Sequence, residues 1–313
     1  MLLKLSKYHV AGNNFILVAA NERNEHDWVS LSVSLCRHKY GVGSDGLLVV
    51  VWNGAEGYDF EMRMFNPDGT EDGCGNGLLC ATRFAYESML LKFGNSPLSF
   101  TVKTIWGAST VRVINSNPKD FVVEAELVEP KWEPSEIPMK TCETLTSMTK
   151  EPREVVIDIL GMCLRCIPVN TGSTHVVIFS DKNFDDEVWE KVSAAIENHT
   201  LFPQRTSVMW AWVINQSEVR VRSYERAVGE TLSCGTGACA VVAAGLKLGL
   251  LKGIVKVVFK GGSVYVFMDE TGKLHIRGQV HHVFDATLRR VMNAKHNAAF
   301  NDHHLSEAAR SNA

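Results

Sequence analysis

Cys74-Gly75-Asn76-Gly77 and Cys234-Gly235-Thr236-Gly237 are two copies of one pattern, a cysteine followed by Gly-x-Gly and then by a run that we interpret as a helix. The two cysteines are 160 positions apart, from 74 to 234. The same offset relates Gly12-Asn13-Asn14-Phe15 to Gly172-Ser173-Thr174-His175. The sequence therefore predicts two copies of one folding unit, each of which supplies one cysteine.

The Cys-Gly-x-Gly pattern places a thiol at the start of a helix. The first backbone N–H groups of a helix are unpaired, and this end carries a partial positive charge. Glycines there let the oxygens of an anion approach the backbone. The same field is expected to lower the pKa of the thiol, because it favours the thiolate. Each copy thus predicts an activated thiol beside a seat for a carboxylate or phosphate.

Two such thiols from matching halves suit a reaction that inverts a carbon atom. One thiolate would remove a proton from one face of the carbon, and the other thiol would return a proton to the opposite face. A single copy would more simply be a glycine-rich turn with a buried cysteine. Zinc binding would require Cys-x-x-Cys pairs or histidines at ligand spacing, which neither copy offers. A disulfide between Cys74 and Cys234 would be unusual in an intracellular protein.

Further motifs make the chain resemble the diaminopimelate epimerase family, the cofactor-independent amino-acid epimerases with two cysteines. Asn66-Pro67-Asp68-Gly69 precedes the first cysteine, and Tyr224-Glu225-Arg226 precedes the second. The segments at 9–15 and 41–46 resemble the family's opening motifs. The resemblance covers roughly residues 3 to 288 in the family's order.

The resemblance implies an α/β (α+β) fold of two pseudo-symmetric domains, each a curled, mostly antiparallel sheet or barrel around a central helix. We expect residues 1–128 to form the half with Cys74 and residues 129–288 the half with Cys234. The last strands, around 275–288, are expected to pack back on the first half. Residues 289–313 are expected to be a mobile tail, and 130–152 a linker with an exposed insertion.

The resemblance also implies the site. Cys74 and Cys234 would be the base and the acid, exchanging roles with the direction of reaction, without pyridoxal phosphate, another cofactor or a metal. The α-carboxylate would bind helix N–H groups, and Glu225 and Arg226 would hold the distal part of the substrate. The substrate-binding set carried over from the family is Asn13, Asn66, Gly75, Asn76, Ser173, Ser207, Glu225, Arg226, Gly235 and Thr236.

Departures from the family pattern fall on the distal pocket. Ser173 and Ser207 stand where the family usually has asparagine, and Thr174 stands where it has proline. Serine offers one hydroxyl where asparagine offers an amide donor and acceptor.

The expected reaction is conversion of LL- to meso-diaminopimelate in lysine and cell-wall biosynthesis. The alternatives are a racemase of another amino acid such as histidine, an acyl transferase with His9 or His175 as base, and a thiol- or metal-binding protein.

Composition sets the wider bounds. The chain has 313 residues, 45% hydrophobic and 21% charged, with a net charge of −3. These values are ordinary for a globular protein and give no support for nucleic acid or membrane as a partner. The N-terminus lacks a signal-peptide core, and the eight cysteines are interpreted as reduced thiols. We therefore expect a cytoplasmic enzyme acting on a small amino acid, with a homodimer left open.

Overall fold

The protein is known from a computed structural model that describes residues 2–52, 54, 56–140 and 154–289. Within these residues, two copies of one sheet-and-helix unit follow each other along the chain. Each copy contains a helix whose N-cap is one of the two cysteines. The predicted fold class and its internal duplication are therefore confirmed.

The first unit is mostly β-structure, with one short outer helix and one long central helix. Its elements, in chain order, are β1 (Leu3–Val10), β2 (Asn13–Ala20), α1 (Trp28–Leu35), β3 (Gly46–Val51), β4 (Phe60–Phe65), β5 (Glu71–Asp72), α2 (Gly75–Phe93), β6 (Ser99–Thr104), β7 (Gly107–Asn115) and β8 (Val122–Glu126).

The second unit repeats this order after an additional strand. Its elements are β9 (Val155–Ile159), β10 (Met162–Asn170), β11 (Thr174–Phe179), α3 (Asp186–Glu197), β12 (Ser207–Asn215), β13 (Glu218–Glu225), β14 (Gly229–Thr231), α4 (Gly235–Lys247), β15 (Val255–Phe259), β16 (Gly262–Met268) and β17 (Leu274–Leu288).

The strand pairings repeat as well as the order. β2 runs parallel to β3, as β11 does to β12. β4 runs parallel to β6, as β13 does to β15. The remaining pairings between named strands are antiparallel. The two units are therefore built by one set of connections, which places their cysteines at equivalent points.

Strand β17 joins the two units. Its first part lies between β16 and β8, and its second part pairs antiparallel with β1. The sheet β1-β2-β3-β4-β6-β7-β8-β17 consequently closes into an eight-stranded barrel around α2. The sequence pattern predicted a strand pair here, whereas the structure has one strand of 15 residues. Gly278 is not a turn but lies in mid-strand, where a Cβ would come within 3.0 Å of Val10.

The two central helices fill the interiors of their sheets. All residues of α4 from Gly235 to Gly245 are buried, as the small apolar sequence predicts. This helix ends at Lys247, because Gly249 adopts the left-handed conformation that stops a helix (φ 71°). Cys80 on α2 and Cys239 on α4 pack in the core, as expected.

The prediction that 130–152 is a linker with an exposed insertion is wrong for its first part. Trp132, Ile137 and Met139 are buried, and Lys131 pairs with Asn170 of β10. The prolines and charged residues of this segment are typical of an exposed linker, so the burial of these three apolar residues was not predicted. Residues 141–153 lie outside the described part of the chain, as does the predicted tail beyond Arg289. The domain boundary near 128 stays a prediction.

Within the described ranges, no helix has both the length and the apolar character needed to cross a membrane.

Candidate active site

Each cysteine caps the N-terminus of its central helix. Cys74 has an extended backbone, and its Sγ accepts the N–H of Gly77 at 3.3 Å. Cys234 does the same with the N–H of Gly237 at 3.4 Å. Cys234 is buried and Cys74 is half-buried. The two sulfur atoms are therefore held against the positive ends of two helices, as the repeated pattern predicts.

The N-termini of α2 and α4 meet. A Cβ on Gly235 would lie 2.9 Å from the backbone nitrogen of Asn76, and a Cβ on Gly75 would lie 3.8 Å from the carbonyl carbon of Gly235. A side chain at position 235 would therefore force the two helix ends apart. The glycines bring the unpaired first-turn N–H groups of both helices to one place, which suits a shared anion.

Asn76 ties the two units together at this junction. Its fully buried side-chain amide donates to Asn13 Oδ1 (3.2 Å) and to Ser233 Oγ (3.4 Å). Asn13 in turn donates to Asp45 (3.1 Å), and its Oδ1 lies 4.0 Å from Cys74 Sγ. The structure thus brings two of the predicted substrate ligands, Asn13 and Asn76, together beside Cys74.

Cys234 is surrounded by three polar side chains. Its Sγ lies 3.9 Å from His175 Nε2 and 3.6 Å from Thr236 Oγ1. Besides burial, the carboxylate of Glu225 raises the pKa of Cys234, and it accepts a hydrogen bond from Thr231 (2.6 Å). Two of the predicted ligands, Glu225 and Thr236, therefore lie beside the second thiol.

His175 was considered from the sequence only as a base for acyl transfer, although it ends the repeated turn Gly172–His175. Its Nδ1 lies 2.7 Å from the carbonyl oxygen of Ser173, so Nδ1 carries the proton and Nε2 faces Cys234 as an acceptor. Burial lowers the pKa of His175 to about 4. The imidazole is therefore neutral at pH 7 and can receive a hydrogen bond from a thiol or from Thr236.

The prediction that the thiols have lowered pKa values is wrong. Burial raises the pKa of Cys74 to about 12, outweighing the hydrogen bonds from Gly77 and Asn76 that lower it. Burial, followed by the charge of Glu225, raises the pKa of Cys234 well above its usual value. The helix ends act in the predicted direction, but desolvation of the thiolate is the larger effect. Both cysteines are therefore thiols at neutral pH.

Acidic groups surround the two thiols. Burial raises the pKa of Glu225, and the charges of Asp45 and Asp72 raise it further. Glu225 and Asp72 also raise the pKa of Cys74. The site therefore combines helix N-termini, which favour an anion, with carboxylates that favour a cation. An amino-acid zwitterion carries both charges.

Ser207 and Arg226 lie together at one side of the second unit. The Ser207 hydroxyl accepts the backbone N–H of Arg226 (3.1 Å), and the guanidinium donates to the carbonyl oxygen of Gln204 (3.4 Å). The buried carboxylate of Glu197 accepts the N–H of Ala227 (2.7 Å) and pairs with Arg205. Glu197, which the sequence patterns did not single out, thus fixes both loops of this region.

The remaining predicted ligands are engaged locally. Asn66 donates to Thr70 Oγ1 (3.0 Å) within its own turn. The Ser173 carbonyl oxygen lies 2.7 Å from His175 Nδ1, and the side chain of Ser173 is half-exposed.

The described residues contain one cluster with metal-ligand geometry, Glu126, Asp269 and His275, and it includes neither cysteine. Lys273 already pairs with Glu126 in this cluster.

Sequence comparison identifies relatives over most of the chain. The family profile described as diaminopimelate epimerase matches residues 5–127 and 167–283. The diaminopimelate epimerase of Pelotomaculum thermopropionicum is 33% identical over 285 residues, which cover 90% of this chain and 97% of the relative.

Solved structures share the fold at low sequence identity. A probable proline racemase from Agrobacterium radiobacter K84 has a TM-score of 0.68 at 14% identity, covering 93% of each chain. A hydroxyproline epimerase from Agrobacterium vitis with bound trans-4-hydroxy-L-proline has a TM-score of 0.66 at 12% identity, covering 92% of each chain. The fold is thus that of amino-acid epimerases and racemases. The extent and identity of the sequence matches show that the chain is an isomerase that belongs to the diaminopimelate epimerase family.

Proposed function

We propose that the chain inverts the α-carbon of an amino acid by proton transfer between Cys74 and Cys234, without pyridoxal phosphate. The nominal reaction is the conversion of LL- to meso-diaminopimelate in lysine and cell-wall biosynthesis. The observation that carries this proposal is the meeting of two helix N-termini, each capped by a cysteine. An enzyme with one catalytic thiol would need only one of these ends.

The substrate α-carboxylate would bind the first-turn N–H groups of Gly75, Asn76, Gly235 and Thr236. Because a glycine opens each turn, carboxylate oxygens can approach the backbone closely. As the α-carbon loses its proton, negative charge spreads onto the carboxylate, and the same N–H groups stabilise it. The N–H groups that bind the carboxylate of the substrate thus also stabilise the carbanion.

Cys234 has the groups needed to give up its proton. The Glu225 carboxylate, whose charge adds to burial in raising the pKa of Cys234, is proposed to accept the thiol proton, and Nε2 of His175 lies 3.9 Å from Cys234 Sγ. Transfer of the thiol proton to Glu225 leaves a thiolate that removes the α-proton. Cys74 then gives its S–H proton to the opposite face of the carbanion and becomes a thiolate. The proton held by Glu225 must therefore return to Cys74, directly or through solvent, before the next turnover. The reverse reaction exchanges the two roles. We therefore assign Glu225 to the reacting centre instead of the distal end of the substrate.

The charges around the thiols explain how a substrate would activate them. The Asp72 and Glu225 carboxylates disfavour a thiolate at Cys74, Glu225 disfavours one at Cys234, and Asp45 adds negative charge beside Glu225. An α-ammonium group among these carboxylates would offset their charge and lower the cost of forming the thiolate. A neutral or anionic ligand would not do so, which favours an amino acid as the substrate.

Diaminopimelate is proposed as the substrate because the relatives that match most of the chain are described as diaminopimelate epimerases. A histidine racemase is not favoured by these comparisons. Ser207 already accepts the N–H of Arg226, so its hydroxyl proton and one lone pair remain to bind a distal group. Arg226 and Ser173 complete the proposed distal contacts, with Asn66 as the further ligand that the family resemblance implies.

We expect Cys74→Ala and Cys234→Ala each to abolish inversion of LL-diaminopimelate, because each removes the proton carrier for one face. The measurement follows stereochemistry and α-deuteration in D2O by NMR with reduced protein, alongside a panel of L-amino acids. Cys163→Ala, which changes an exposed cysteine, is the matched control and should invert at the wild-type rate. Normal turnover by either active-site variant would show that the two-thiol assignment is wrong.

Alkylation of the ligand-free protein should report the raised thiol pKa. Because the pKa of Cys74 is about 12, its thiolate fraction grows about tenfold per pH unit from pH 7 to 10. The rate of iodoacetamide labelling at Cys74, followed by peptide mass spectrometry, should rise throughout this range. A plateau near pH 8 would instead indicate a thiol activated before substrate binds. Exposed Cys163 in the same sample provides the internal reference.

Glu225→Gln should reduce kcat by about 100-fold with a smaller change in KM. The substitution removes the proton acceptor of Cys234, while glutamine has nearly the same shape as glutamate. Steady-state kinetics in both directions would measure the two parameters. Glu230→Gln, on the neighbouring strand, is the matched control. A rise in KM at unchanged kcat would place Glu225 at the distal end of the substrate after all.

A further inference from the structure

Trp106 occupies the turn between β6 and β7 in the first unit. The turn is fixed locally, since the Trp106 N–H donates to Thr104 Oγ1 (3.1 Å) and that hydroxyl donates to the Gly107 carbonyl oxygen (3.0 Å). The indole ring is half-buried and packs against the main core. The backbone of this turn therefore gives the ring one defined direction.

The indole ring contacts both units. A Cβ on Gly73, directly before Cys74, would overlap the ring, and a Cβ on Gly172 would lie 2.8 Å from it. The Trp106 indole N–H also donates to the Gly172 carbonyl oxygen (3.1 Å). Gly172 opens the turn that ends at His175, the neighbour of Cys234. One side chain thus touches the backbone that leads to Cys74 and the backbone that leads to His175.

The equivalent contact in the second unit is made differently. Gly261 occupies the turn between β15 and β16, and its N–H donates to the Leu232 carbonyl oxygen (3.0 Å). A Cβ on Gly261 would overlap the carbonyl group of Ala11 in the first unit. This closure is made by backbone in direct contact. At the β6–β7 turn, by contrast, the space between the units is filled by the side chain of Trp106, which a substitution can remove.

We propose that Trp106 is a positioning residue that holds the Cys74 loop against the His175 turn and so keeps the thiol pair enclosed. Gly73 and Gly172 offer no side chains that could fill the space left by the ring. Gly172 has φ +96°, a conformation that glycine adopts without strain, and its N–H donates to Asn170 Oδ1 (2.9 Å). Loss of the indole would let the turn move away from Cys74 and open the junction to solvent. The kinetic part of this inference rests on the proposed function, whereas the structural part does not.

The test compares alkylation of Cys234 in ligand-free wild type, Trp106→Ala and Trp212→Ala. Iodoacetamide labelling at pH 9 is followed by peptide mass spectrometry. Trp212 is the matched control, because its half-buried indole also donates one hydrogen bond to a backbone carbonyl, that of Lys182 (2.8 Å). We expect labelling of Cys234 to increase about tenfold in Trp106→Ala through local opening, and to stay within about twofold in Trp212→Ala.

Trp106→Phe keeps most of the ring but loses the N–H, so about threefold faster labelling is expected. Folding of each variant is checked by circular dichroism. If Trp106→Ala fails to fold, Trp106→Phe becomes the test variant. Unchanged labelling of Cys234 in the folded variants would overturn the inference, as would an equal increase in Trp212→Ala. With LL-diaminopimelate as substrate, the variants whose Cys234 is labelled faster should also have the lower kcat. If wild type inverts no amino acid, the proposed function fails while the labelling still decides the role of Trp106.

Discussion

The contact between the N-termini of α2 and α4 is the constraint on which the rest of this structure depends. It requires glycine at position 235, because any side chain there would collide with the backbone of Asn76. It also requires that both units present their central helices end to end, which the duplicated strand connections and the shared strand β17 achieve. The buried amide of Asn76 fastens the junction by bonding residues from both units. Two capping cysteines and two sets of free N–H groups are the chemical result.

The electrostatics of the junction balance two opposing effects. Helix N-termini favour a thiolate, but burial and nearby carboxylates disfavour it more strongly, so both thiols are protonated at neutral pH. An amino-acid zwitterion brings a carboxylate for the helix ends and an ammonium for the carboxylates. The substrate would thus complete the charge pattern that makes the thiols reactive.

Much of the fold could be predicted from the sequence because the signals were local and repeated. The Cys-Gly-x-Gly pattern marks a helix start wherever it occurs, and its duplication at one offset indicated the two units. Three features depended on contacts between distant segments and could not be read in this way. Residues 130–140 pack through three apolar anchors, Gly278 lies in a continuous strand, and Glu197 fixes loops on either side of β12 and β13. The thiol pKa was mispredicted for the same reason, because burial is a property of the assembled site.

The central claim is that two sulfur atoms approach one carbon from opposite faces. A crystal structure of the reduced protein with a bound amino acid that it turns over slowly would measure this directly. We expect both Sγ atoms about 3.5 Å from the α-carbon, on opposite sides, with the carboxylate on the N–H groups of the two helix ends. Both sulfur atoms on one side, or one of them facing a different cavity, would contradict it.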